Sequence, residues 1–183
     1  MPDSPAQQDS ADPENTGLAW LNALSTPDFR TEFAACLNID RWVAALEAER
    51  PFSSTTALVA AADQHARTVT EDEVATALAR HPRIGERATG ANTEASWSRG
   101  EQSAMATATT NIQEALRAGQ ATYERRFGHI YLVCASGRSS EDMLADLQSR
   151  IGNDPATEAR VVAEELRKIT LLRVEKLING REA

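Results

Sequence analysis

The stretch "ALARHPRIGERA", residues 77–88, sets a histidine at the end of an alanine- and leucine-rich run and follows it at once with proline. His81 is one of three histidines in the chain. An imidazole titrates near neutrality and a following proline restricts the backbone, so the pair suits a general acid or base held in one place. The same placement suits a histidine that only hydrogen-bonds the last carbonyls of its helix. A second unusual stretch, "SWSRGEQSAM", brings Ser98, Glu101 and Gln102 close together, and the spacing of three puts Ser98 and Glu101 on one helical face. A hydroxyl, a carboxylate and an amide suit a polar ring that both donates and accepts hydrogen bonds. The plainer reading is a solvated face with a local cap near Gly100. Arg173 lies between Leu172 and Val174, one turn after Ile169, at the border of a buried stripe. A guanidinium there either pairs a carboxylate structurally or clamps an anionic substrate through two bonds. His65 and His129 have no such framing, and without HExxH-type spacing no zinc site is expected.

The elements that must position these groups read as helices. In "STPDFRTEFAACL", Ser25 or Thr26 is the N-cap, Pro27 opens the helix, and Phe29, Phe33 and Cys36 follow at helical spacing. "DRWVAALEAER" places Trp42, Val43 and Leu46 on one face before Pro51, and "SSTTALVAAADQHAR" is a further amphipathic segment. Thr70 and Glu73 form a capping box for a helix predicted to run to His81, because a residue before proline leaves the α region. Residues 84–93 read as a loop, and Glu94 to about Tyr123 as one long helix with Met105, Ile112 and Leu116 in the core. "FGHIYLVCASG" shows neither the helical nor the strand period and is either a short buried extended piece or a helix end. "SSEDMLADLQSRIG" is a capped helix, and Asp154 with Pro155 opens a last helix that Asn179-Gly180 closes. The expected fold is an all-α single-domain helical bundle, residues 17–183, behind a disordered tail of residues 1–16 rich in Pro, Asp, Ser and Gln.

Composition narrows the function classes. The 183 residues are 42% hydrophobic, 25% charged and 5% aromatic, the balance of a soluble globular domain rich in small helical residues. A net charge of −8 and a pI near 4.9 argue against nucleic acid or an anionic membrane as partner. No apolar stretch approaches the roughly 20 residues of a membrane span. Cys36 and Cys134 sit among apolar neighbours and read as reduced core residues of a cytoplasmic protein. The N-terminal stretch has no secretory pattern, and "GREA" is not the peroxisomal address.

Taken together, "STPDFRTEF", "RWVAALEAERPF", "HPRIGER", "SRGEQSAM", "YERRFGHIYLVCASGRSSEDMLADLQSRIGNDPATE" and "EELRKITLLRVEKL" resemble the 2-oxo-4-hydroxy-4-carboxy-5-ureidoimidazoline (OHCU) decarboxylases of urate breakdown, in order and spacing over most of residues 25–178. The resemblance implies an all-helical fold, a homodimer, no metal or organic cofactor, and stereospecific decarboxylation of OHCU to (S)-allantoin. It places the catalytic histidine on His81 and a catalytic carboxylate on Glu101. Substrate contacts fall on Pro82, Ser98, Gln102, Arg173 and the backbone of Tyr131, Leu132, Val133, Cys134 and Ala135. Two departures stand out: Arg83-Ile84-Gly85 where some relatives read Asp-Leu-Ala, and His129 where an apolar residue is frequent. The alternatives are a non-catalytic helical binding module and a hydrolase acting on a neighbouring ureide such as 5-hydroxyisourate. A module would scatter residues 81, 98, 101, 102 and 173 over an exposed face, whereas an enzyme would gather them in one concavity.

Overall fold

A computed structural model describes residues 13–86, 88 and 91–180, and their regular structure is helical throughout. Helix α9 (Pro155–Asn179) is the axis of the fold. It begins where the sequence predicts, with Pro155 in its first turn and the Asp154 carboxylate accepting from the Thr157 amide. Around it pack α1 (Pro13–Ala23), α2 (Thr26–Cys36), α4 (Thr55–Ala66) and α5 (Glu71–Leu78), with α3 (Asp40–Ala48) against α2 and α4. Their apolar faces close over Phe29, Phe33, Trp42, Leu46, Leu58 and Val174. At Gly17 of α1, an added Cβ would lie 2.2 Å from the Ile178 carbonyl oxygen, so only glycine permits this approach to α9.

A second, smaller core forms where α7 (Thr110–Phe127) packs on α8 (Ser140–Ile151), around Leu116, Tyr123, Met143 and Leu147. Gly119 lets the two helices close up, since a Cβ there would meet the Leu147 side chain at 2.7 Å. The two cores share one segment. Residues 130–135 belong to no helix or strand among the described residues, and their side chains alternate as those of an extended chain do: Ile130, Leu132 and Cys134 turn to the first core, Tyr131, Val133 and Ala135 to the second. Extended backbone directs successive side chains to opposite faces. With both faces buried the alternation leaves no trace in hydropathy, which is why the segment reads as featureless from sequence.

Three boundaries differ from expectation. The first helix begins at Pro13, inside the stretch read as tail; residues 1–12 lie outside the described residues, as do Arg87 and Gly90. Helix α5 ends at Leu78 and tightens into a turn, with the Arg80 amide donating to Ala77 and the His81 amide to Leu78. The long helix expected from Glu94 to Tyr123 is broken into α6 (Thr93–Glu101), a 3-10 turn (Ser103–Ala106) and α7. Thr109 starts α7 as an N-cap, its hydroxyl accepting from the Ile112 amide, a stop-and-restart that the apolar pattern does not reveal. Among the described residues no helix is long and apolar enough to cross a membrane.

Candidate active site

The cleft lies on the seam between the two cores and is narrow, with a cavity volume of about 20 Å³. His81 and Pro82 enter it from the end of α5, Ser98, Glu101 and Gln102 from the end of α6, and Arg173 from the middle of α9. Tyr131, Leu132, Val133 and Ala135 supply the extended wall, with Ile84 and Ile169 beside them. Of the residues expected here, Cys134 alone is not on the wall; its side chain packs on the first core, and its amide donates to Glu165 at 2.8 Å. His65 and His129 are elsewhere: His65 pairs with Glu49, and His129 lies against Tyr123 and Phe127.

His81 makes the helix-end hydrogen bond that its position suggested. Its Nδ1 is 3.0 Å from the Ala77 carbonyl, in the last turn of α5. A carbonyl only accepts, so Nδ1 carries the hydrogen and Nε2 of the neutral ring presents a lone pair. That Nε2 is buried and has no hydrogen-bond partner. Burial lowers the pKa of His81, the Arg173 charge lowers it further, and the Ala77 bond with the charges of Glu94 and Glu101 opposes them without reversing the direction. The ring is therefore a neutral base at pH 7.

This depression has a consequence for stability. Above the unfolded value of about 6.5 the ring is neutral in both states and its contribution to stability is complete. As pH falls below that value the unfolded chain takes up a proton that the folded chain resists, and stability is lost until pH reaches the folded pKa. The urea midpoint of the wild type is expected to drop between pH 7 and 5.5 by more than that of His81→Asn. Parallel midpoints across that range would show that the folded protein does not depress this histidine.

Arg173 is 1% exposed, and each of its three guanidinium nitrogens makes a hydrogen bond. Nε and Nη2 bind the two oxygens of Glu101 at 3.1 and 3.0 Å, Nη2 also donates to the Ser98 hydroxyl at 2.9 Å, and Nη1 reaches the Ala35 carbonyl at 3.4 Å. Lys176 adds a contact of 3.3 Å to Glu101. Burial by itself pushes the Glu101 carboxyl up, but Arg173 and Lys176 outweigh it and hold the pKa below the ordinary value. Glu101 is thus an ionised acceptor on the cleft wall, fixed by a planar fork. Of the two sequence readings of Arg173, the geometry shows the structural pair with a carboxylate, on the wall of the cleft.

Gln102 spends its amide on the chain after His-Pro. Its Oε1 accepts from the Gly85 amide at 2.9 Å and its Nε2 donates to the Arg83 carbonyl at 3.4 Å. Two sets of residues that sequence reading did not single out complete the construction. Gln120 of α7, buried, accepts from the Ile84 amide at 3.1 Å and donates to the Ile84 carbonyl at 2.9 Å. Behind the extended wall, Arg150 donates to the Leu132 carbonyl at 2.8 Å and forks onto Glu158, which also takes bonds from Asn153 and the Tyr123 hydroxyl. Tyr131 is anchored by its hydroxyl on Asp146 at 2.6 Å. A clue was present for Gln120: it follows Leu116 by four and precedes Tyr123 by three, a polar residue on the buried stripe of its helix.

The chain matches the OHCU decarboxylase family over residues 22–175. It belongs to that family. Among relatives of this OHCU decarboxylase-family chain, the "Uric acid degradation bifunctional protein TTL" of Arabidopsis thaliana is 31% identical over 153 residues, covering 82% of this chain and 47% of its own length. The "2-oxo-4-hydroxy-4-carboxy-5-ureidoimidazoline decarboxylase" of Haloferax volcanii is 25% identical and is covered over 93% of its length. The chain thus spans about half of the plant relative and nearly all of the archaeal one. A crystal structure of OHCU decarboxylase in the presence of (S)-allantoin superposes with a TM-score of 0.68 at 29% identity, covering 80% of this chain and 96% of that one.

Proposed function

We propose that this chain converts OHCU to (S)-allantoin by cofactor-independent decarboxylation in urate breakdown, with His81 and Glu101 as the reacting pair. The observation that carries the reading is the unpartnered, buried Nε2 of a neutral imidazole in one cleft with an ionised, arginine-fixed carboxylate. The convergence of residues 81, 98, 101, 102 and 173 favours an enzyme over a binding module, which has no use for a buried lone pair.

The substrate supplies its own electron sink. When the carboxylate leaves as CO2, the pair of electrons left on carbon is conjugated with the ring imine, whose nitrogen takes a proton from solvent. The resulting enol must then lose its hydroxyl proton and gain one at the neighbouring carbon. His81 Nε2 accepts the hydroxyl proton and, as imidazolium, returns it to carbon on the face it occupies, which makes a single enantiomer. Glu101 accepts hydrogen bonds from substrate N–H or O–H groups, oriented by Arg173 and Ser98. Pro82 and the wall formed by Tyr131, Leu132, Val133 and Ala135 hold the ring, with Ile84 and Ile169 helping to exclude water from the leaving carboxylate. A homodimer in the cytoplasm, with no nucleic-acid or membrane partner, completes the reading; it is supported by family resemblance and by the net charge of −8.

The test generates OHCU from urate in situ, adds the protein, and follows optical activity by circular dichroism, with and without EDTA. Accelerated appearance of (S)-allantoin, unchanged by EDTA, is expected. Racemic product at the uncatalysed rate would remove the assignment, and conversion of 5-hydroxyisourate in place of OHCU would select the hydrolase.

A further inference from the structure

The cleft is assembled across a seam, and something must keep its two sides in register. His81 sits at the end of α5, in the first core; Ile84, Tyr131, Val133 and Ala135 belong to the second. The chain that joins the His81 ring directly to Ile84 of the second core is the irregular stretch that follows Pro82. Four consecutive main-chain groups there, the Arg83 carbonyl, both polar groups of Ile84 and the Gly85 amide, are held by two glutamine side chains. Gln102 comes from the cleft itself, whereas Gln120 reaches in from α7. Its amide pairs with the Ile84 peptide as a neighbouring strand would, one bond in each direction, and the Ile84 side chain is 7% exposed and on the cleft wall. One turn further along α7, Glu124 forks onto Arg83 at 2.6 and 2.9 Å, so the same helix face grips two successive residues.

We propose that Gln120 is a positioning residue for the reaction at His81: it pins Ile84 to the second core and so sets the distance between the imidazole and the opposite wall of the cleft. Gln120 touches neither substrate nor His81 and acts through Ile84. A leucine or methionine would fill its space and satisfy its helix. The choice of an amide is explained by the two polar main-chain groups of one buried residue, which cost free energy when left without partners. Because the residue at 84 is joined to His81 by three peptide units, looseness at Ile84 is transmitted to the catalytic ring, and a misplacement of about 1 Å is enough to cost on the order of a hundredfold in rate.

The proposal rests on the functional reading above for its kinetic arm only. Gln120→Met, close in shape, is compared with wild type and with Glu114→Gln on the exposed face of the same helix. Three readouts are expected to move together in Gln120→Met: faster hydrogen exchange at the Ile84 amide, a His81 pKa measured by NMR that rises toward its ordinary value, and a kcat lower by about 10–100-fold with a smaller change in KM. Glu114→Gln should leave all three unchanged. A folded Gln120→Met with wild-type exchange and wild-type His81 titration would overturn the clamp, and wild-type kcat despite a loosened Ile84 would overturn its link to catalysis. If Gln120→Met does not fold, the wild-type Ile84 amide decides: protection like that of core α7 amides supports the clamp, and exchange as fast as an exposed loop refutes it. Absence of OHCU turnover by the wild type would remove the functional reading while exchange and titration still judged the clamp.

Discussion

Replacing His81 by Asn is expected to slow OHCU turnover by at least about a hundredfold while the protein stays folded. General acid–base catalysis contributes roughly 10²–10⁴-fold, and asparagine can donate to the Ala77 carbonyl but cannot carry a proton at neutral pH. The variant therefore keeps the structural half of the residue and deletes the chemical half. His81→Ala removes both, and should lose the same activity together with a modest part of the stability, since one helix-terminal hydrogen bond contributes about 0.5–1.5 kcal/mol. Circular dichroism reads both quantities, turnover from the chirality of the product and stability from the thermal unfolding of the helices. An Asn variant with near wild-type turnover would make the ring nothing more than a cap and would break the proposed mechanism at its centre.

Arg173→Lys is expected to be damaging in two ways that a surface arginine is not. Lysine keeps the charge, but a single ammonium cannot at once bridge both oxygens of Glu101, hold the Ser98 hydroxyl and reach the Ala35 carbonyl. Removing one partner of a buried ion pair costs about 3–5 kcal/mol; a substitution that keeps the charge and loses the fork should fall at or below the lower bound, about 1.5–3 kcal/mol. At about 2–4 °C per kcal/mol for a domain of this size, the melting temperature should fall by roughly 3–12 °C. Activity should fall by on the order of tenfold to a hundredfold, because Glu101 is no longer held in one orientation. Arg160, exposed and bonded only to Thr157 within its own helix, is the control: Arg160→Lys should change neither quantity measurably. Equal, small effects at both positions would return Arg173 to an ordinary core arginine.

Most of the helices and most of the residues that line the candidate cleft are legible in the sequence, because the rules that reveal them are local. A cap bonds an amide two or three residues away and a helical stripe repeats within four, so Thr70 and Asp154 mark helix starts from sequence alone, Ser25 or Thr26 brackets another, and the face of Trp42, Val43 and Leu46 is equally local. The candidate residues were legible for a related reason: a histidine before proline and a hydroxyl three residues before a carboxylate are unusual within a single turn. What the sequence could not determine is which of these groups meet. Arg173 finds Glu101 across 72 positions and Gln120 finds Ile84 across 36, pairings that follow from the packing of α9 and α7 and leave no periodic trace. The break at residues 102–109 escaped for the opposite reason, since alanine and methionine allow a helix there and only tertiary structure ends it. The extended segment 130–135 shows the limit most plainly. Its alternation becomes visible only when there are two cores to alternate between, and the cleft exists because those two cores meet along it.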